Sequence, residues 1–141
     1  MIKNQIKVIF DTNIWISFLI GKRLAQIKKY IVDGKIKIVV CEQLLKEIET
    51  VTSRQKLKKY FPPESVKELI DLLEAIGENV EISSKYFVSR DPKNDFLFDL
   101  IDFSKADFLV TGDKDLLELN PFKTAQIITP KVFEELIKGL I

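Results

Sequence analysis

The side chains able to do chemistry in this chain are carboxylates, and several of them fall just past short apolar runs. Asp11 follows Ile6–Phe10 directly, and Asp113 and Asp115 follow Phe108–Val110 after Thr111-Gly112. Asp95 opens a helical pattern after Asp91-Pro92-Lys93-Asn94, and Glu47 lies six residues past Cys41, after the run Ile36–Val40. The chain contains no histidine and one cysteine. That removes a His general base, His-ligated zinc, Ser–His and Cys–His nucleophiles, an internal disulfide and any cysteine metal cluster. Neither GxGxxG nor GxxxxGK occurs, so dinucleotide and P-loop phosphate cradles are excluded as well. Any catalysis falls to acids.

Taken singly, each acid has a plain structural explanation. Asp11, Asp95 and Asp113 suit helix N-caps. Asp91 before Pro92 suits a turn, Glu47 a solvated helix face, and Asp99 with Asp102 a wet stripe beyond Asp95. Taken together they are harder to dismiss. Three or four carboxylates at one place in a partly dry cleft repel one another, and they stay ionised only around something positive. Ligation by oxygen alone selects Mg²⁺ or Mn²⁺.

The elements that must position them form an alternating pattern. Ile6–Phe10, Ile36–Val40, Val80–Ile82, Phe108–Val110 and Ile127–Ile128 read as short, nearly continuous apolar strands. Between them lie helical stripes: Leu24, Ile27 and Ile31; Leu44, Leu45, Ile48 and Val51; Val66, Leu69, Ile70, Leu73 and Ile76; Leu97, Leu100 and Ile101. Val132, Phe133, Leu136 and Ile137 close the chain. Such alternation predicts an α/β domain with a mostly parallel sheet of about five strands. In that architecture, residues just past a strand or at a helix start are delivered to one sheet edge.

At 141 residues the chain is read as one domain, 1–141. No apolar run approaches the ~20 residues that span a bilayer, so no membrane association and a cytoplasmic location are expected. The net charge of +1 conceals an uneven distribution. Residues 1–70 hold 14 Lys+Arg against 7 Asp+Glu, and residues 71–141 hold 8 against 14. A basic segment that includes Arg54, Lys56, Lys58 and Lys59 is either a solvated face or a track for a nucleic-acid backbone.

In order, these motifs resemble the PIN-domain nuclease family. Phe10-Asp11-Thr12-Asn13 looks like its first motif and Leu44-Leu45-Lys46-Glu47-Ile48 its second. The spacing of Asp95 and Asp113 is similar to that of the family's third and fourth acids. The most specific match is Ala106-Asp107-Phe108-Leu109-Val110-Thr111-Gly112-Asp113-Lys114-Asp115-Leu116. The resemblance spans about residues 5 to 135 and is greatest to toxin components of prokaryotic toxin–antitoxin pairs. It departs at Asn94, where relatives often carry a further acid. The resemblance implies a three-layer α/β/α fold and a Mg²⁺- or Mn²⁺-dependent endoribonuclease. It implies Asp11, Glu47, Asp95 and Asp113 as catalytic and metal-holding acids and Asp115 as a further ligand or outer carboxylate. Thr12, Asn13 and Thr111 would be supporting residues that orient ligands or waters. An RNA substrate, an antitoxin partner and a homodimer belong to the same implication. Two other classes compete. A receiver-like phosphotransfer domain wants an acidic pair at one strand end, where Asp11-Thr12-Asn13 offers one acid. A non-catalytic PIN-like module would bind RNA or protein without cutting.

Overall fold

The computed structural model describes residues 5–21, 29–30, 33–54, 58–83 and 95–139. Their strands and helices alternate as β1 (Ile6–Phe10), α1 (Thr12–Gly21), β2 (Ile36–Val40), α2 (Glu42–Thr52), α3 (Pro63–Ile76) and β3 (Glu78–Asn79). The chain continues through α4 (Asp95–Ser104), β4 (Phe108–Val110), α5 (Lys114–Leu117), β5 (Gln126–Ile128) and α6 (Pro130–Lys138). A short 3₁₀ turn, Lys58–Tyr60, precedes α3.

The strands form one parallel sheet in the order β3-β2-β1-β4-β5. β1 is central, with Val8 opposite Ile38 on one side and Phe108 on the other. Val8, Ile9 and Phe10 are all fully buried, as alternating side chains must be when helices cover both faces. The chain first builds outward from β1 to β2 and β3, then crosses back to add β4 and β5. The crossings from β1 to β2 to β3 run one way along the sheet, and those from β3 to β4 to β5 run the other. The right-handed rule for parallel crossovers therefore assigns α1, α2 and α3 to one face and α4 to the other. The last helix returns to the α1 face. There Phe133 meets Phe10 edge-on at 5.3 Å, and Phe10 also packs against Trp15 at 5.0 Å and Phe18 at 5.4 Å. On the opposite face Phe98 of α4 stacks edge-on to Phe122 at 4.8 Å.

Two strand lysines tie helix ends to the sheet. Lys7 Nζ donates to the carbonyl of Ser104, the last residue of α4, at 3.1 Å and pairs with Glu78 at 3.2 Å. Lys37 Nζ donates to the carbonyl of Ile76, the last residue of α3, at 3.3 Å. Both positive charges sit where a helix leaves carbonyls unpaired and its dipole is negative.

Two expectations from the sequence are corrected here. The third strand is Glu78–Asn79, not Val80–Ile82; only Val80 N–H still reaches across, to the carbonyl of Val40 at 2.9 Å. Gly77 sets that register. Its extended backbone ends α3 at once, and a Cβ there would lie 2.5 Å from the Leu73 carbonyl and 3.1 Å from Val40 Cγ2. In α2, Thr52 rather than Val51 completes the buried stripe, because its hydroxyl donates to the carbonyl of Ile48 at 2.8 Å. The stripe Leu24, Ile27 and Ile31 lies outside the described residues. Among the described residues, no helix is long and apolar enough to cross a membrane.

Candidate active site

Strand order reverses between β1 and β4, since the chain leaves β1 toward β2 but returns on its other side. In open α/β sheets the crevice at the carboxyl ends of two such strands is where ligands bind. Here those ends carry Asp11 and the segment Thr111-Gly112-Asp113. The register Phe10 opposite Val110 brings Asp11 alongside Thr111.

Asp11 is buried. Its Oδ1 accepts the Ile14 N–H at 2.9 Å, capping α1, and its Oδ2 accepts the hydroxyl of Thr111. Thr111 is fully buried, and its Oγ1 accepts the Asp113 N–H at 3.1 Å. Asp113, half-buried, caps α5 by accepting the Asp115 N–H at 2.8 Å. Burial pushes the Asp11 carboxyl above the ordinary carboxylate range, the negative charge of Asp113 adds to that rise, and the Thr111 and Ile14 hydrogen bonds oppose it. Two acids from different strands therefore feel one another across a single threonine.

The remaining acids stand on α2, α4 and α5. Asp95 is the first residue of α4 and is buried; since β4 follows that helix in parallel, its N-terminus belongs to the same sheet edge. Glu47 is half-buried in the second turn of α2. Glu42, Leu45 and Lys46 of that helix line a cavity with Glu74 of α3 and residues 79–82. Glu47 lies on the opposite flank of the buried stripe from those cavity-lining residues. Its charge, after burial, helps push up the thiol of Cys41, so that cysteine is kept as a thiol. Asp115 is half-buried, Thr12 is buried as the first residue of α1, and Asn13 beside it is exposed. Among the described residues, no three acidic side chains converge closely enough to enclose a metal ion unaided.

Asp99 overturns its expected place on a wet stripe. It is buried one turn past Asp95, because every residue of α4 from Asp95 to Ile101 is buried. The sequence does carry a signal for this: Phe96, Leu97, Phe98, Leu100 and Ile101 make the helix apolar nearly all round. Asp102 is closer to solvent and pairs with Lys105 at 3.2 Å. Of the basic segment, Arg54 and Lys59 are exposed, with Lys59 Nζ 5.0 Å from the ring centroid of exposed Tyr60. Lys58 falls in the 3₁₀ turn, and Lys56, Asp91 and Asn94 lie outside the described residues.

Comparison with known proteins gives three findings. A family model described as PIN domain matches residues 7–115. The uncharacterized protein MJ1680 of Methanocaldococcus jannaschii is 31% identical over 122 residues, covering 84% of this chain and 78% of that protein. The crystal structure of PAE2754 from Pyrobaculum aerophilum is similar with a TM-score of 0.61. That match covers 95% of this chain and 90% of the other at 14% identity, a likeness of fold.

Proposed function

Because the chain belongs to the PIN-domain family, we propose that it is a Mg²⁺- or Mn²⁺-dependent endoribonuclease that hydrolyses RNA phosphodiester bonds. The observation that supports this most is the Asp11–Thr111–Asp113 linkage at the point where strand order reverses. The donors fit a hard cation: all are oxygens, and Asp11 and Asp113 are like charges held near one another with Asp11 buried. Mg²⁺ keeps several of its waters and takes one or two carboxylates directly, so two acids with others acting through water suffice.

In this reading Asp11 and Asp113 hold the ion, and Glu47, Asp95 and Asp115 hold its waters or complete its ligands. Bound there, the ion supplies an activated water and neutralises charge on the attacked phosphate. Thr12 and Asn13 start α1 so that Asp11 is presented at its cap. We extend the proposal to a toxin role, with an antitoxin as protein partner and a homodimer as the assembly. The lack of a three-acid cluster among the described residues favours one other reading, a PIN-like module that binds RNA or protein without cutting.

Millimolar Mn²⁺ is expected to raise the melting temperature of the wild type by several degrees, since a ligand at 100 times its Kd adds about 2.7 kcal/mol. The double variant Asp11→Asn/Asp113→Asn should not respond. An unmoved wild-type melting curve, with no metal-dependent cleavage of a mixed RNA pool, would leave the binding module as the better account.

Arg54, Lys56, Lys58 and Lys59 are proposed to bind the RNA backbone. Taking one cation away from a phosphate should reduce the slope of log affinity against log salt by about 0.7 for a single strand. Replacing all four by alanine should therefore flatten the slope by roughly two to three. A slope equal to wild type would make the segment a solvated face.

A further inference from the structure

We propose that Tyr60 is a stacking platform for an unpaired base of single-stranded RNA, set in the basic turn between α2 and α3. The inference rests on the nuclease reading above. It adds a contact to a base where Arg54, Lys56, Lys58 and Lys59 supply contacts to the backbone.

Tyr60 is 59% exposed, the most open of the large apolar side chains described. Its neighbours dictate this. Phe61 is buried and lines a groove with Thr52 of α2 and with Val66 and Ile70 of α3. The chain is pinned at that residue, and the side chain before it is turned out. Pro62 and Pro63 fix the backbone that follows, and the Pro62 carbonyl accepts the Ser65 N–H at 2.9 Å as α3 begins. The 3₁₀ turn Lys58–Tyr60 ends directly on this anchor. A tyrosine ring with two χ angles on so constrained a turn has little freedom to lose on binding.

The surroundings select the ligand. Residues 53–60 carry four basic side chains and no acid. Lys59 Nζ lies 5.0 Å from the ring centroid, so a positive charge is held against the ring itself. Cations of this kind track phosphates, and a ring among them accepts any base, because every base has a π-face. A base inside a duplex has its faces covered by its neighbours, which makes the ligand single-stranded. The turn also follows the helix that carries Glu47. Thr52, the last residue of α2, is five residues and about 7.5 Å further along the axis. One helix thus connects an acid of the candidate site with the turn.

Binding of a labelled oligouridylate of about 12 nucleotides is measured by fluorescence anisotropy over a range of salt, without metal so that the strand stays whole. Tyr60→Ala is expected to bind about 5- to 150-fold more weakly at every salt concentration, with the slope of log affinity against log salt unchanged. Tyr60→Leu should lose as much, since it keeps bulk without a π-face, and Tyr60→Phe should stay within about twofold of wild type. On a strand with the same phosphates and no bases, wild type and Tyr60→Ala should bind alike. Wild-type affinity for the oligouridylate in Tyr60→Ala or Tyr60→Leu would overturn the proposal and make the ring a protein-contact residue. A flattened slope, or an equal loss on the strand without bases, would overturn it too. Failure of the wild type to bind either strand is a separate result, seen before any variant is compared, and it would overturn the RNA reading together with what rests on it.

Discussion

Asp11→Asn should fold, bind RNA, and lose cleavage by roughly 10²–10³-fold, the scale seen when one preorganised group at a reacting centre is removed. The amide can replace the carboxylate's structural bonds. Its Oδ1 can still accept the Ile14 N–H, and its Nδ2 can donate to Thr111 Oγ1 in place of the hydroxyl bond now made to Oδ2. Asn is also as good an N-cap as Asp. What it cannot replace is the negative charge, so its hold on a hard cation weakens. The sign of the stability change distinguishes this from simple damage. In the metal-free protein the Asp11 carboxyl titrates above its ordinary value, with burial first and the charge of Asp113 contributing. The stability linked to that proton is fully present below the unfolded pKa and is lost as pH rises through the folded one. Asp11→Asn escapes the loss, so at neutral pH without metal it should melt no lower than wild type. Single-turnover cleavage at matched Mn²⁺, beside a melting curve, measures both. A folded Asp11→Asn protein that cleaves like wild type would sink the mechanism.

The largest change in stability is expected at the neighbouring position. Phe10 is fully buried and makes edge-to-face contacts with Trp15, Phe18 and Phe133, so its ring joins β1, α1 and α6. Phe10→Ala should cost about 3–5 kcal/mol, because the truncated ring leaves a cavity that three aromatic neighbours from two helices cannot collapse to fill. Domains of ordinary stability have about 5–15 kcal/mol in all. Urea denaturation measures the loss, with Phe103→Ala as the control, since Phe103 on α4 is 46% exposed and should change stability by less than about 0.5 kcal/mol. A loss below about 1 kcal/mol at Phe10 would mean the aromatic cluster does not hold the α1 face together.

The parts legible in the sequence are those encoded locally. Four of the five strands lie where their apolar runs are, because each run is buried beneath helices packed over the sheet. The third is an edge strand of two polar residues, and its place follows from the close approach of Gly77 to Val40, which no periodicity reports. Asp11, Asp95 and Asp113 can be placed at the strand ends and helix starts from spacing alone. Glu47 cannot, because six residues of helix fix a distance along the axis but not which neighbour it faces; the packing of α2 between α1 and α3 decides that. Thr111 is legible as a polar residue near the acids but not as their link. That role depends on a pairing between residues 100 positions apart. Asp99 is misplaced by a stripe with one wet side, a pattern that does not hold for a helix enclosed on every side.

That same separation has a consequence for biosynthesis. β1 lies at the centre of the sheet, and the strand on its Asp113 side follows it by 100 residues of chain. β2 can pair with β1 early, but the other edge of β1 stays unsatisfied until residues 108–110 arrive. While the residues between are being added, a nascent chain carries Asp11, Glu47 and then Asp95 without Thr111 or Asp113. On the nuclease reading, a chain not yet grown to Asp113 lacks one of the two acids proposed to hold the ion. The price is a strand edge left open until β4 arrives and a non-local pairing, both of which slow folding and leave the unfinished chain prone to association.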